Sequence, residues 1–404
     1  MRRILALVFS VLLAPVVVVS GEMSVKYRVA LSEGGAGLVR GLTFHAPFTD
    51  PANSLTLYKG TGTLSDTRNT TSTYVHATTD LVTVASANTG RIEDNGVLVE
   101  GQRVNKITYS NVFDNTDGWA FWGAASVTPG ITSPAGDNTA YQLDMPAAST
   151  GIHHIDYTDV SGLPLSFAIY IKADENGTIR VFDGGGNFTN DITASVTTEW
   201  QRFYTTGTRA TPGACQFGVY RNSAGQLAKV YIYGSQMEEG ASSSSYIPTT
   251  TAAVTRNADV LSIASSGNID NVDGTLAFSW SPNFASTDNV VTVVLFDAGI
   301  KATYTSSDRK INFTDGTNTI STDALTFPKG VVHRLAFRWG PGGLDIYRNG
   351  ASAATGATYT AFVPNANLHI GSDVSSANQA FSNFKDVRAL NREPTDAEMV
   401  AATQ

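Results

Sequence analysis

Residues 235–263 read SQMEEGASSSSYIPTTTAAVTRNADVLSI. A strand-like run ends at Met237, two glutamates and a serine run follow, and strand-like text resumes at Ala258-Asp259-Val260. Serine and threonine clusters between periodic segments mark connections. The stretch is therefore expected to join two separately packed β-units, and its flanks decide the architecture.

A chain of 404 residues is long enough for two or three domains, each with its own core. Charged residues make up 15%, against roughly 25% in an average globular chain. With 37 glycines and abundant Thr, Ser and Asn, this composition suits short strands and frequent turns. The formal charge is −8 and there is no basic tract to follow a phosphate backbone. Nucleic acid and anionic membrane surfaces are thus poor partners. A single cysteine, Cys215, excludes an internal disulfide framework and a multi-cysteine metal site, and reads as a small core residue.

The start, MRRILALVFSVLLAPVVVVSGE, combines two arginines, an apolar run from Ile4 to Val19 and a small-residue exit at Ser20-Gly21. That is the pattern of a cleavable secretory signal, short for a spanning helix. Met23, opening MSVKYRVALS, is an alternative start.

Downstream, nearly every segment reads as strand and turn. Asn95-Gly96, Asp315-Gly316 and Asn349-Gly350 sit between apolar runs, as tight hairpin turns do. Asp183-Gly184-Gly185-Gly186 is followed by neither a helix pattern nor a suitably placed lysine, so it reads as a hairpin tip and not a phosphate loop. LSFAIYI (165–171), KVYIY (229–233) and LAFSW (276–280) are short strand runs. In HRLAFRW (333–339), His333, Leu335, Phe337 and Trp339 share a face while Arg334, Ala336 and Arg338 take the other. This period of two predicts half-buried strands of a two-sheet sandwich. The tail EPTDAEMVAATQ predicts a helix, with Thr395 and Glu398 as a capping box and an acidic first turn.

The expected fold is all-β, with two β-sandwich (jelly-roll) domains and a short C-terminal helix. The expected divisions are a signal-like segment 1–22, a β-rich lead-in 23–103, a first sandwich 104–247, a linker 248–257, and a second sandwich with the terminal helix, 258–404. RGLTFHAPF (40–48) reads as a strand able to pair with the C-terminal sheet. That pairing would make the lead-in part of the second sandwich and the middle domain an insertion.

Three patches carry a resemblance. The first is TRNTTSTYVHATTDLVTVASANTGRIEDNGVLVEGQRVNKITYSNVF (67–113), similar to the lead-in of phage fibre and head-spike proteins. The second, TEWQRF (198–203) with YIYGSQMEEGASSSSYIPTTTAAVTRNADVL (231–261), resembles the close of their carbohydrate-binding-module-like jelly roll. The third, HRLAFRWGPGGLDIYRNG (333–350) with FSNFKDVRALNREPTDAEM (381–399), resembles a laminin-G/concanavalin-A-like sandwich. The resemblance implies a phage or prophage virion component (head spike, decoration or tail fibre), homo-oligomeric and assembled with other virion proteins. Its domains would then be displayed toward host-surface glycans. The signal-like start favours instead an exported adhesin or carbohydrate-binding protein.

Catalytic signals are sparse. Glycan hydrolases on concanavalin-like sandwiches place two carboxylates on one strand, commonly as Glu-x-Asp-x-x-Glu. None of the ten glutamates here has an aspartate two places on. Glu238 and Glu239 are adjacent and would face opposite sides of a strand. There is no Gly-x-Ser-x-Gly elbow, and His153-His154 would diverge in a strand, which argues against zinc. No enzymatic function is therefore expected; a glycan-degrading enzyme remains the alternative. No cofactor is implied either, although Asp297, Asp315 and Asp345 leave room for the Ca2+ that some laminin-G modules carry.

Sugar-binding sandwiches stack aromatic rings on pyranose faces and bond the hydroxyls with amides and carboxylates. Trp119, Phe121 and Trp122 form the densest aromatic group. In extended geometry Trp119 and Phe121 share a face that Trp122 opposes. The candidate ligand-binding residues are Trp119 or Trp122 as the stacking ring, with Asp117 and Asn115 as hydroxyl partners. Trp200, Trp280 and Trp339 lie in alternating contexts and are expected in cores.

Overall fold

The computed structural model describes residues 40–49, 55–114, 118–159, 164–184, 192–208, 213–288, 292–356 and 358–404, with backbone only at 155–159, 183–184 and 213–215. The signal-like start, Asn115, Asp117, the Gly185-Gly186 tip and the Cys215 side chain lie outside the described residues.

Alternating hydrophobic strands build the C-terminal sandwich. Its eight-stranded sheet runs Ala351–Gly356, Gly343–Arg348, His333–Gly340, Gly274–Pro282, Ser382–Leu390, Gly96–Val99, Ile92–Glu93, and Leu42–Ala46 also pairs with Ser382–Leu390. Facing it is a seven-stranded sheet that starts with Ser65–Asp66, Leu261–Ala264 and Asn367–Ile370. His333, Leu335, Phe337 and Trp339 are buried and Arg334 is exposed, as the alternation predicts. Trp280 and Trp339 sit in the core. Their indole N–H groups donate to Ser382 Oγ at 2.8 Å and to the Asp270 carbonyl at 2.9 Å, so neither buried donor is orphaned. Asn349 (φ 50°) and Gly350 (φ 81°) form the left-handed pair that a two-residue hairpin turn requires.

Ala336 departs from the alternation: it is buried on the outer face, with Ala277, Tyr347 and Leu390, under Met399 of the helix Asp396–Ala402. That helix carries the expected capping box, Thr395 receiving the Glu398 N–H while the Glu398 carboxylate receives the Thr395 N–H. Among the described residues no helix is long and apolar enough to cross a membrane.

Lead-in residues Phe44, Leu64, Val97 and Val99 belong to the same core, so the middle of the chain is an insertion into the C-terminal sandwich. The chain leaves along Arg103–Asn105 and returns along Val254–Arg256, and these two segments pair antiparallel. Between them lie two five-stranded sheets. One runs Ile192–Val196, Gly177–Gly184, Gly213–Arg221, Thr150–Asp159, Trp119–Trp122; the other runs Gln201–Thr208, Pro164–Lys172, Lys229–Glu239, Ala140–Asp144, Ser126–Ile131. Phe167, Ile169, Ile179, Val181, Phe217 and Val219 are among the side chains that close them into a second core.

The serine run 242–247, just ahead of the expected linker 248–257, is packed, whereas most of 248–257 is exposed. Ser242, Ser244, Tyr246 and Ile247 are each 3% exposed or less. Their polar groups meet partners already in place. Buried Glu238 accepts from the Ser244 N–H at 2.8 Å and the Ser244 hydroxyl at 2.5 Å, and Gln236 Oε1 accepts from the Ile247 N–H at 2.5 Å. Hydroxyl-rich text reads as solvated in isolation; here buried carboxylate and amide groups take up those hydroxyls and amides.

Beside it lies a buried ion cluster. Arg68 donates to Asp259 at 2.7 Å and to Asp66 at 3.2 Å. Arg91 reaches Glu100 at 2.7 Å and also contacts Asp259, and Arg256 reaches Glu100 at 2.6 Å. Three guanidiniums thus face three carboxylates, all with side chains 3% exposed or less. Burial alone would raise the Glu100 pKa, but Arg256 and Arg91 overcome it and hold the carboxyl well below the usual range. Burial and the charge of Asp259 push Asp66 up, to about 7.

Candidate functional site

The second of the two five-stranded sheets turns its outer face to the rest of the protein: Tyr170 and Tyr233 pack there with Val82 and Tyr246. The outer face of the sheet containing Trp119–Trp122 carries a different arrangement. Trp119 points inward, 2% exposed, with its ring 4.8 Å from that of Phe113. Of the two candidate stacking rings, it is therefore a core residue and cannot offer a face to a ligand. Trp122, on the opposite side of the strand, remains partly exposed.

Cross-strand register then gathers rings that are distant in sequence. Trp122 pairs with Gly151, Gly151 with Tyr220, and Tyr220 with Arg180; in the adjacent row Ala120 pairs with His153, His153 with Gly218, and Gly218 with Phe182. The indole of Trp122 stacks on His153 (4.2 Å, 25°) and on Phe182 (5.0 Å, 23°), with Tyr220 edge-on at 5.3 Å. Bare backbone at Gly151 and Gly218 makes room for this; a Cβ at Gly218 would run into the Ile152 carbonyl. His153 and Phe182 are about as buried as core residues, at 4% and 5%, whereas Trp122 and Tyr220 stay partly open. Burial lowers the His153 pKa, which favours the neutral ring that stacks on Trp122. An amphipathic platform of this kind suits the apolar face of a pyranose.

His153 and His154 diverge as expected: His154 turns inward, edge-on to Trp119 at 5.2 Å. Sequence reasoning missed His153, Phe182 and Tyr220 as a group, since only the pairing of four strands brings them together. Trp200, expected in a core, is partly exposed, with Lys172 Nζ 5.2 Å from its ring centre.

The three aspartates considered for calcium serve separate structural roles. Asp345 pairs with Arg338 at 2.6 Å. Asp315 accepts the N–H groups of Thr317 (2.8 Å), Asn318 (2.6 Å) and Thr360 (2.6 Å), and Asp297 accepts from Asn365 Nδ2 at 2.9 Å. No group of three or more His, Cys, Asp or Glu side chains placed to hold a metal occurs among the described residues.

Residues 255–399 match the family model of the concanavalin A-like lectin/glucanases superfamily, in its Laminin_G_3 form. This span is a concanavalin A-like domain, as the third sequence patch implied. No curated protein matches the chain. Among solved structures, Trypanosoma rangeli sialidase is similar at 15% identity with a TM-score of 0.28, over 35% of this chain and 25% of its own. CBM4 is similar at 16% identity (TM-score 0.27; 33% of this chain, 97% of that one). The CBM22-1 xylan-binding domain of Paenibacillus barcinonensis Xyn10C is similar at 11% identity (TM-score 0.27; 34% and 92%).

Proposed function

We propose that this is a non-enzymatic display protein that binds surface glycans weakly through the outer face around Trp122. The observation that carries the proposal is the stack of Trp122 on His153 and Phe182, with Tyr220 beside it, on a sheet face stripped of side chains at two glycines. The concanavalin A-like domain at 255–399 fits a protein of this class. A single shallow site of this kind binds at about mM, only about −4 kcal/mol. Useful adhesion then requires many copies on one scaffold, as an oligomer or a virion provides. The resemblance of residues 67–113 and 231–261 to phage fibre and head-spike proteins supports a phage or prophage virion as that scaffold. Glu100 and Glu238, two of the most buried carboxylates, are consumed by structural bonds, which favours binding over hydrolysis.

Trp122→Ala is expected to weaken retention on a glycan affinity gel by about tenfold, the scale of one lost aromatic contact. Retention unchanged by that substitution, for every sugar the wild type binds, retires this face. The signal-like start favours a second reading, an exported bacterial adhesin. Mass spectrometry of the mature N-terminus separates the two, because cleavage after Ser20 belongs to export.

A further inference from the structure

Where the middle sandwich meets the C-terminal one, a cleft of about 260 Å3 opens between Trp200, Arg202, Tyr170, Glu93 and Lys329. Arg202 is anchored by its Nη1, which donates to the Ser244 carbonyl, and its guanidinium lies 5.5 Å from the Tyr170 ring centre. Its Nε and Nη2 are buried and have no acceptor among the described residues. These two N–H groups form the side-on fork that binds a carboxylate bidentately. Lys329 projects into the same cleft over the Tyr204 ring, 4.7 Å from its centre, and no carboxylate among the described residues pairs with it.

The nearby acids are already engaged. Glu93 accepts the Val75 N–H and Asn383 Nδ2, each at 3.0 Å, and Glu100 belongs to the arginine cluster. Asp288 accepts the Ala285 N–H at 2.8 Å. The Arg202 charge acts against that of Lys329; Glu100, Asp288 and Glu93 offset this in part, and a bound anion would relieve the remainder. Trp200 beside them supplies an apolar ring surface.

We propose that this cleft binds a carboxylate-bearing sugar residue, its acid group on the Arg202 fork and Lys329 and its ring against Trp200. The inference is independent of the Trp122 face. It gives the protein a second, acidic-sugar specificity at the junction of its two sandwiches.

The test is calorimetric or NMR titration of the full chain with methyl glucuronide, with its neutral twin methyl glucoside, and with inorganic phosphate. The glucuronide is expected to bind about tenfold or more tightly than the glucoside, and Arg202→Gln and Lys329→Gln each to remove most of that advantage. Among the described residues Lys329 makes no hydrogen bond or ion pair, so its variant should fold even if the Arg202 variant does not. Lys329 is exposed along its length, but desolvation of its ammonium in the cleft and the Arg202 charge lower its pKa to about 8, with Glu100, Asp288 and Glu93 opposing. Affinity should accordingly fall as the pH rises from about 7 to about 9 and the lysine discharges. The Trp122 ring meets the apolar sugar face that both glycosides share. Trp122→Ala should therefore weaken glucuronide and glucoside alike and leave the ratio between them unchanged, which separates failure here from failure of the outer face. Equal binding of glucuronide and glucoside, or phosphate displacing glucuronide at matched concentration, overturns the proposal.

Discussion

Asp259→Ala should cost about 3–5 kcal/mol of folding stability, enough to unfold a marginal domain. One Asp259 oxygen accepts from Arg68 at 2.7 Å; the other meets Arg91 and the Glu100 N–H, the latter at 2.7 Å. Removing the carboxylate leaves two fully buried guanidiniums facing one another with only Asp66 and Glu100 to balance three arginines. The penalty comes from stranded charge more than from the lost contacts, so Asp259→Asn, which keeps the shape, should recover little of it. Urea unfolding of wild type and both variants measures this. A loss under about 0.5 kcal/mol would mean that the three arginines are not held as described.

The second large effect is acid sensitivity centred on His333. This residue is 2% exposed, its ring 5.4 Å from that of Trp280 and 5.0 Å from that of Phe327, and neither ring nitrogen has a partner among the described residues. Burial, with a smaller contribution from Arg348, pushes its pKa down to about 4 from the usual 6.5. A depressed histidine pKa means that the unfolded chain takes up a proton first as the pH falls. The stabilisation is therefore complete above about pH 6.5 and drains away toward about pH 4, by about 3 kcal/mol in all. His153 and His369, also lowered by burial, act in the same direction. His333→Phe should flatten the stability profile across that window. Parallel profiles for variant and wild type would show that His333 does not set the acid limit.

Strand alternation and the terminal capping box were legible because each rests on neighbours two to four places away. HRLAFRW reads correctly at all but Ala336, where a helix from the far end of the chain covers a face that local pattern assigns to solvent. The arginines of the ion cluster were not legible. Arg68 and Asp259 are 191 positions apart, and nothing near either foretells a partner that makes burial tolerable. The same distance effect hid the packed state of the serine run, whose hydroxyl partners include Glu100. At the candidate site, divergence of Trp119 from Trp122 follows from strand geometry alone. Which of the two faces outward depends on the register with Thr150–Asp159, and only that register reveals His153 as its neighbour.

Because the middle unit is rooted through two strands lying side by side, Arg103–Asn105 and Val254–Arg256, a pull on it divides between two covalent rails. Traction on a captured ligand would load both rails in the same direction, so their ladder experiences little shear. One rail ends in the arginine cluster at Arg256 and the other begins three residues after Glu100 of the same cluster, which makes that charged knot the mechanical footing of the middle unit.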